Sequence, residues 1–118
     1  MEKFRLAIAT SGQEGLDDVV AETFGRAKTF TILEIEEGTA KSVKVINNPA
    51  ISYEHGAGPI VVKMLVDTDI DIVIAPEFGP GALSLLRQHN IANVNVKHGT
   101  MVRNLVNKIS ARPSAEEL

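Results

Sequence analysis

Short apolar runs separated by polar turns dominate the chain, and their lengths distinguish strands from helices. FRLAIAT (4–10) is followed by SGQEG, and the β-branched run IDIVIAP (70–76) is followed by EFGPG. Runs of this length between turn residues are typical of buried strands, and the second should be central. TFTILEIEEGTAKSVKVINN predicts two further strands joined by a turn over 36–39, which makes them antiparallel neighbours. IANVNV (91–96) alternates valine with asparagine and predicts an edge strand.

Helical patterns lie between and after these runs. A short helix is predicted over 16–22, and GPIVVKMLVDT (58–68) predicts a largely buried helix with Pro59 at its first position. Two more helices follow, one after EFGPG and one capped by Thr100. Their expected inward-facing residues are Ala82, Leu85 and Leu86 in the first and Val102, Leu105, Val106 and Ile109 in the second.

The predicted element order is β–α–β–β–α–β–α–β–α, an α/β arrangement with a mixed sheet between helical layers. Strands 1, 4 and 5 should run parallel, because right-handed crossovers link them. We expect residues 1–118 to form a single domain, with 111–118 a frayed tail.

Composition limits the classes of function. The 118 residues suit one compact domain, and 44% of them are apolar. Because the chain has no cysteine, disulfides, thiolate-bound zinc and cysteine-ligated iron–sulfur clusters are excluded. A formal charge of −3 with four Phe, one Tyr and no Trp argues against nucleic-acid binding. The N-terminal residues lack the pattern of a secretory signal and no apolar run reaches membrane-spanning length, so we expect a cytoplasmic protein without a membrane partner.

The candidate site lies at the carboxyl edge of the predicted sheet, where open α/β sheets bind ligands. Four loops collect there: SGQEG with Ser11, YEHGAGP (53–59), EFGPG (77–81) and KHGT (97–100). Three of them lead to helix N-termini, whose free N–H groups and positive dipole ends favour anions. The edge is therefore a candidate site for an oxyanion or an anionic cluster.

The three histidines differ in how well they suit the predicted binding site. His55 carries the sharpest hypothesis, because an imidazole beside glycines is suited to ligating or hydrogen-bonding a metal centre; the alternative is an exposed turn residue. His98, before the last helix, is a second candidate for the same crevice, with an ordinary loop role as the alternative. His89 is interpreted as a favourable cation at a helix C-terminus and not as a site residue.

Enzyme hypotheses find little support in the sequence. A metal-dependent nuclease or phosphoryl-transfer site needs clustered carboxylates on the central strands. Strand 1 has none, strand 4 has only Asp71 at its start, and Glu77 stands nearly alone at the carboxyl edge. The chain also lacks a cysteine nucleophile, a GxSxG elbow, a phosphate-loop lysine motif and GxGxxG. Binding without turnover is the better class, with no catalytic residue assigned.

Four motifs in order carry a resemblance to a known family. FGRA (24–27), HGAG (55–58), FGPGA (78–82) and GT (99–100) resemble the nitrogenase iron-molybdenum cofactor biosynthesis and accessory-factor family. The resemblance implies a ribonuclease H-like α/β fold without nuclease activity, with a five-stranded mixed sheet in order 3-2-1-4-5 and strand 2 antiparallel. Family members bind or carry metal–sulfur clusters, and the small orange-protein branch holds a molybdenum–copper sulfide cluster without cysteine ligation. A stand-alone, cysteine-free domain of about this size resembles that branch more than the nitrogenase assembly fusions.

The resemblance also implies which residues form the site. The expected cofactor-binding residues are Gly25, Arg26, His55, Gly56, Gly58, Gly79 and Pro80, with Ser11 and His98 in neighbouring loops and His55 as the metal ligand. Many relatives have a histidine where this chain has Thr23, which removes one imidazole from the site. A sulfide-rich cluster is a polyanion, so Arg26, helix N-termini and glycine N–H groups are suited to holding it by charge-assisted hydrogen bonds. Arg26 has the alternative role of a surface charge paired with Glu14 or Glu22.

Three functional hypotheses result. The leading one is a non-enzymatic binding or carrier protein for a molybdenum-containing metal–sulfur cluster, of Mo–Cu sulfide or iron-molybdenum type, which a donor or acceptor protein exchanges. The second is a regulatory or protein-interaction module whose crevice binds an anion and no metal. The third is a catalytic role in cluster assembly or hydrolysis through Glu77 and His55, for which the sequence places no second acid or base.

Overall fold

A computed structural model describes residues 3–53 and 56–108 of the chain. The strands are β1 (Lys3–Thr10), β2 (Thr29–Glu36), β3 (Thr39–Asn47), β4 (Ile72–Ala75) and β5 (Ala92–Asn95). They form one sheet in the order β3-β2-β1-β4-β5. β2 runs antiparallel to both of its neighbours, whereas β4 is parallel to β1 and to β5. The predicted strand order and the antiparallel position of the second strand are confirmed.

Helices cover both faces of the sheet. The helices are α1 (Ala57–Asp67), α2 (Pro80–Gln88) and α3 (Val102–Asn107). α1 and α2 pack on one face, where Phe30, Leu65 and Leu86 are fully buried. α3 covers the other face with Leu105. All four residues of β4 are buried, which confirms it as a central strand, and β5 is an edge strand.

The predicted helix over 16–22 is wrong. Only Gly15–Asp17 forms a 3-10 turn, and extended backbone follows. The buried carboxylate of Asp18 organises this loop, because its oxygens accept three backbone N–H groups at 2.8 to 3.1 Å, those of Gly12, Glu14 and Val19. The N–H of Val20 then donates to the carbonyl of Thr100 at 2.8 Å. Pairing with a distant loop thus outweighs the local helical pattern.

Two predicted helix starts also differ from the structure. α1 begins at Ala57 after the N-cap Gly56, so Pro59 is its third residue and not its first. The N-cap of α3 is Met101 and not Thr100, whose hydroxyl donates to the carbonyl of Lys97 at 2.7 Å. Thr100 therefore closes the loop before the helix.

The inward-facing stripes of α2 and α3 are confirmed where they are described. Ala82, Leu86, Val102 and Leu105 are buried, and Leu85 and Val106 are half-buried. Ile109 and the tail 111–118 lie outside the described residues. Over the described part of the chain, no helix is long and apolar enough to cross a membrane.

An ion pair on β1 and β2 makes stability depend on pH. The ammonium of Lys3 lies 3.3 Å from a carboxylate oxygen of Glu34, and this contact, with a smaller contribution from Arg5 at 3.4 Å, lowers the pKa of Glu34. Because this pKa is lower in the folded than in the unfolded chain, the stabilisation is present above the unfolded value and is lost as the pH falls through the folded one.

We expect Glu34→Gln to lower the free energy of unfolding slightly at neutral pH and to have no effect in acid, where Glu34 is protonated in both states. Urea unfolding at the two pH values measures this difference. Glu36→Gln, at the end of the same strand, is the control. A loss of stability that persists unchanged in acid would contradict the ion-pair explanation.

Candidate functional site

An open cleft of about 510 Å³ lies beyond the carboxyl end of β4, where three segments meet. The first is 23–25, within the stretch between β1 and β2. The second is 56–59 at the start of α1, and the third is 77–82, which leads from β4 into α2. The structure therefore brings the described parts of three sequence motifs together in one cleft: 24–25 of FGRA, 56–58 of HGAG and much of FGPGA.

Two helices begin at this cleft, and their first turns carry backbone N–H groups. The first N–H groups of an α-helix have no intrahelical partner. Gly56 and Gly79 are the N-caps of α1 and α2, and neither start carries a side-chain cap among the described residues. Proline lacks an N–H, so Pro59 and Pro80 each remove one donor from a first turn. The remaining donors are the N–H groups of Ala57, Gly58, Gly81 and Ala82, all of which are cleft-lining residues.

Glycine lets the three segments approach one another closely. A Cβ atom on Gly25 would lie 3.5 Å from the Cβ of Ala57 and 3.8 Å from the backbone nitrogen of Gly58. A Cβ on Gly58 would lie 3.6 Å from the Cβ of Ala82. These are van der Waals distances, so the 24–25 turn packs against the first turn of α1, which in turn packs against α2.

Aromatic rings form the apolar part of the cleft. Phe24 and Phe78 both line it, with ring centroids 5.0 Å apart and planes inclined by 52°. Phe24 is only 3% exposed and also contacts Phe30 edge-on at 5.8 Å. This contact ties the cleft to the core on the α1 and α2 face of the sheet.

The charge of the cleft wall is acidic and not basic. Among the described lining residues, only Glu77 carries a charge, and its side chain is exposed. Within 3–53 and 56–108, His, Asp and Glu side chains do not gather in any group of three that could hold a metal ion. The described part of the cleft thus offers N–H donors, aromatic surface and one carboxylate.

Two of the predicted site residues lie in an adjoining pocket. Ser11 and Arg26 line a space of about 400 Å³ together with Glu22 and Lys28. Thr23 lines both this pocket and the main cleft, so the two spaces are neighbours. Arg26 and Lys28 are exposed and bring positive charge to this side.

The structure separates the remaining predicted residues. Pro80 is the first residue of α2 but does not line the cleft. His98 is exposed in a loop whose next residue, Gly99, donates its N–H to the carbonyl of Val20 at 2.8 Å, and His98 does not line the cleft either. His55 lies outside the described residues.

Residues 4–112 match the family described as dinitrogenase iron-molybdenum cofactor, which covers most of the chain. The chain belongs to this family. The resemblance of the four motifs is therefore confirmed, and membership places the protein among those associated with a cofactor in an accessory or carrier role.

Solved structures of similar proteins agree with the family. The apo form of the orange protein from Desulfovibrio gigas is 27% identical with a TM-score of 0.79, over 88% of this chain and 84% of that one. A NifB-like protein from Thermotoga is 30% identical with a TM-score of 0.71, over 88% of this chain and 84% of that one.

A sequence relative covers a shorter stretch. An uncharacterized protein of Methanocaldococcus jannaschii is 34% identical over 68 residues, which is 58% of each chain.

Several cleft residues of this family member were not predicted from its sequence. Ala57, Phe78, Gly81 and Ala82 line the cleft, and Asn48 donates its side-chain amide to the carbonyl of Gly25 at 3.0 Å. Backbone N–H groups such as those of the two alanines are not signalled by any side-chain motif. Asn48 had a local signal, because the dipeptide Asn48-Pro49 ends a strand pattern and is typical of a turn.

The N-cap glycine of α1 is expected to be sensitive to substitution. Gly56 has φ +74° and faces open space, so a side chain there meets no atom but forces a left-handed conformation. Gly56→Ala should cost about 1–2 kcal/mol of unfolding free energy. Gly81→Ala, also in open space but within α2, should be neutral or slightly stabilising. Chemical denaturation of both variants measures this, and equal costs would contradict the backbone explanation.

Proposed function

We propose that this protein is a non-enzymatic binding and carrier protein for an anionic metal–sulfur cluster that contains molybdenum. The cluster is cargo of the Mo–Cu sulfide or iron-molybdenum type, exchanged with a donor or acceptor protein. The observation that carries the proposal is the convergence of two helix N-termini, neither with a side-chain cap among residues 3–53 and 56–108, on one cleft in a member of a cofactor family. Because the family resemblance implies a ribonuclease H-like fold, we also assign the fold, with its strand order β3-β2-β1-β4-β5, to that class.

The donor set of the cleft suits a sulfide-rich anion. Backbone N–H groups at helix N-termini donate hydrogen bonds to negatively charged atoms and lie at the positive end of the helix dipole. Ala57 and Gly58 supply two such groups from α1, and Gly81 and Ala82 supply two from α2. Bound sulfides accept these N–H groups, while Phe24 and Phe78 shield the weakly hydrated side of the cluster.

Side chains complete the proposed site from outside this amide cradle. His55 is the proposed side-chain ligand or hydrogen-bond donor to the metal. Arg26 and Ser11 lie in the adjoining pocket and add positive charge and a hydroxyl donor. His98, on the neighbouring loop, is proposed to reach the site only from its outer edge.

The N-cap of α2 gives a direct test. Gly79 has φ −67° and ψ 159° and open space around its Cα, so an aspartate there adopts the same backbone and caps the N–H groups of the first turn. Gly79→Asp should therefore stabilise the empty protein by a few tenths of a kcal/mol and compete with the cargo for Gly81 and Ala82. Loss of charge-assisted bonds, each worth about 1.5–3 kcal/mol, should weaken cluster binding at least about tenfold.

The measurement uses protein freed of metal, incubated with tetrathiomolybdate and copper and then desalted. We expect stoichiometric molybdenum and a visible charge-transfer band in the wild type, a large loss in Gly79→Asp, and a smaller loss in Gly79→Asn, which caps without charge. His55→Ala in the same assay tests the proposed ligand. No molybdenum in the wild type would contradict the carrier function and favour an anion-binding interaction module.

Glu77 should weaken the binding of an anionic cargo. Its carboxylate is the charged group among the described lining residues, and like charges repel at close range. We expect Glu77→Gln to increase retained molybdenum or to lower the dissociation constant a few-fold at low salt, with a smaller gain at high salt. Glu36→Gln, at the opposite end of β2, should leave binding unchanged. Weaker binding in Glu77→Gln would indicate that Glu77 contacts the metal of the cargo.

A further inference from the structure

Asn48 is a buried polar residue directly after β3, and it is hydrogen-bonded to Gly25 of the cleft wall. Asn48 is only 3% exposed and is one of the few buried polar residues in the described part of the chain. The amide nitrogen donates to the carbonyl of Gly25 at 3.0 Å and to that of Ala27 at 2.8 Å. The amide oxygen accepts the N–H of Ala50 at 2.8 Å. All three hydrogen bonds are made by the planar side-chain amide group of Asn48.

These bonds connect two separate stretches of the chain. Gly25 and Ala27 belong to the FGRA turn before β2, and the backbone N–H of Asn48 also donates to the carbonyl of Lys28 at 3.0 Å. Ala50, on the other side, is fully buried and begins the stretch that leads toward α1. The Asn48 side chain therefore fixes the FGRA turn relative to the turn over 48–50 that follows β3.

The position of Gly25 decides the shape of the cleft. Its Cα lies against the first turn of α1, since a Cβ there would meet Ala57 at 3.5 Å and the nitrogen of Gly58 at 3.8 Å. The carbonyl of the same residue is held by Asn48. A shift of the turn would consequently change the space in front of the Ala57 and Gly58 N–H groups.

We infer that Asn48 is a positioning residue of the binding cleft, which acts through Gly25 on the amide donors of α1. This inference deepens the proposed function and rests on it for the cargo. Aspartate at this position keeps the acceptor for Ala50 but has no N–H to donate, and its charge faces the carbonyls of Gly25 and Ala27. Serine is smaller and offers one hydroxyl in place of the two amide donors.

The test uses Asn48→Asp and Asn48→Ser in the full chain. Ile35→Ala is the control for lost stability, because Ile35 is fully buried on the opposite face of the sheet. On metal-free protein we expect lower backbone ¹⁵N order parameters over 24–28 and shifted amide resonances at Ala57 and Gly58 in the Asn48 variants. Ile35→Ala should change neither, at a comparable loss of thermal stability.

Retention of tetrathiomolybdate with copper is the second readout. We expect at least about tenfold weaker retention in the Asn48 variants and wild-type retention in Ile35→Ala. Unchanged order and resonances, or wild-type retention in folded Asn48 variants, would overturn the positioning role. If the wild type retains no molybdenum while the Asn48 variants loosen 24–28 and shift Ala57 and Gly58, the carrier function fails and the positioning of the cleft wall stands.

Discussion

Backbone N–H groups without an intrahelical partner are the constraint on which the site depends. Every α-helix begins with such groups, and they require a capping side chain, water or a ligand. In this protein α1 and α2 start side by side at the carboxyl end of β4, with glycine at both N-caps. Strand direction explains this arrangement, because α1 follows β3 and α2 follows β4, and both strands run parallel to β1 and end at the same edge of the sheet. The cleft follows from the topology, and the residues around it determine what it binds.

Glycine has a different role at each of the two N-caps. At Gly79, whose backbone is extended, serine, threonine, aspartate or asparagine would satisfy first-turn N–H groups and stabilise α2, but would also occupy those donors. At Gly56 the left-handed backbone itself favours glycine. The close approach at Gly25 and Gly58 brings three segments together without filling the space between them. The start of α2 is therefore less stable than it would be with a capping side chain, and a concave surface with backbone N–H donors is retained.

The sequence predicted the sheet well because its signals are local and strong. The apolar run of β4 and the hairpin around Gly38 needed no knowledge of distant contacts. Of the four loops predicted at the carboxyl edge, residues 56–59 and 77–81 contribute to the cleft, whereas SGQEG and KHGT do not line it. The false helix over 16–22 shows the limit, since Asp18 and the loop at Thr100 impose extended backbone there. Asn48 was missed for a related reason: its partners Gly25 and Ala27 lie more than twenty residues away and bond through their backbone. The donors of Ala57 and Ala82 are likewise invisible to any side-chain motif.

We propose that the amide donors of α1 and α2 hold the cargo. The most direct measurement is a ¹⁵N NMR titration of metal-free protein with tetrathiomolybdate and copper, followed at each backbone amide. We expect the largest changes at Ala57, Gly58, Gly81 and Ala82. Changes confined to the adjoining pocket, at Ser11, Arg26 and Lys28, or no changes at saturating cluster, would contradict it.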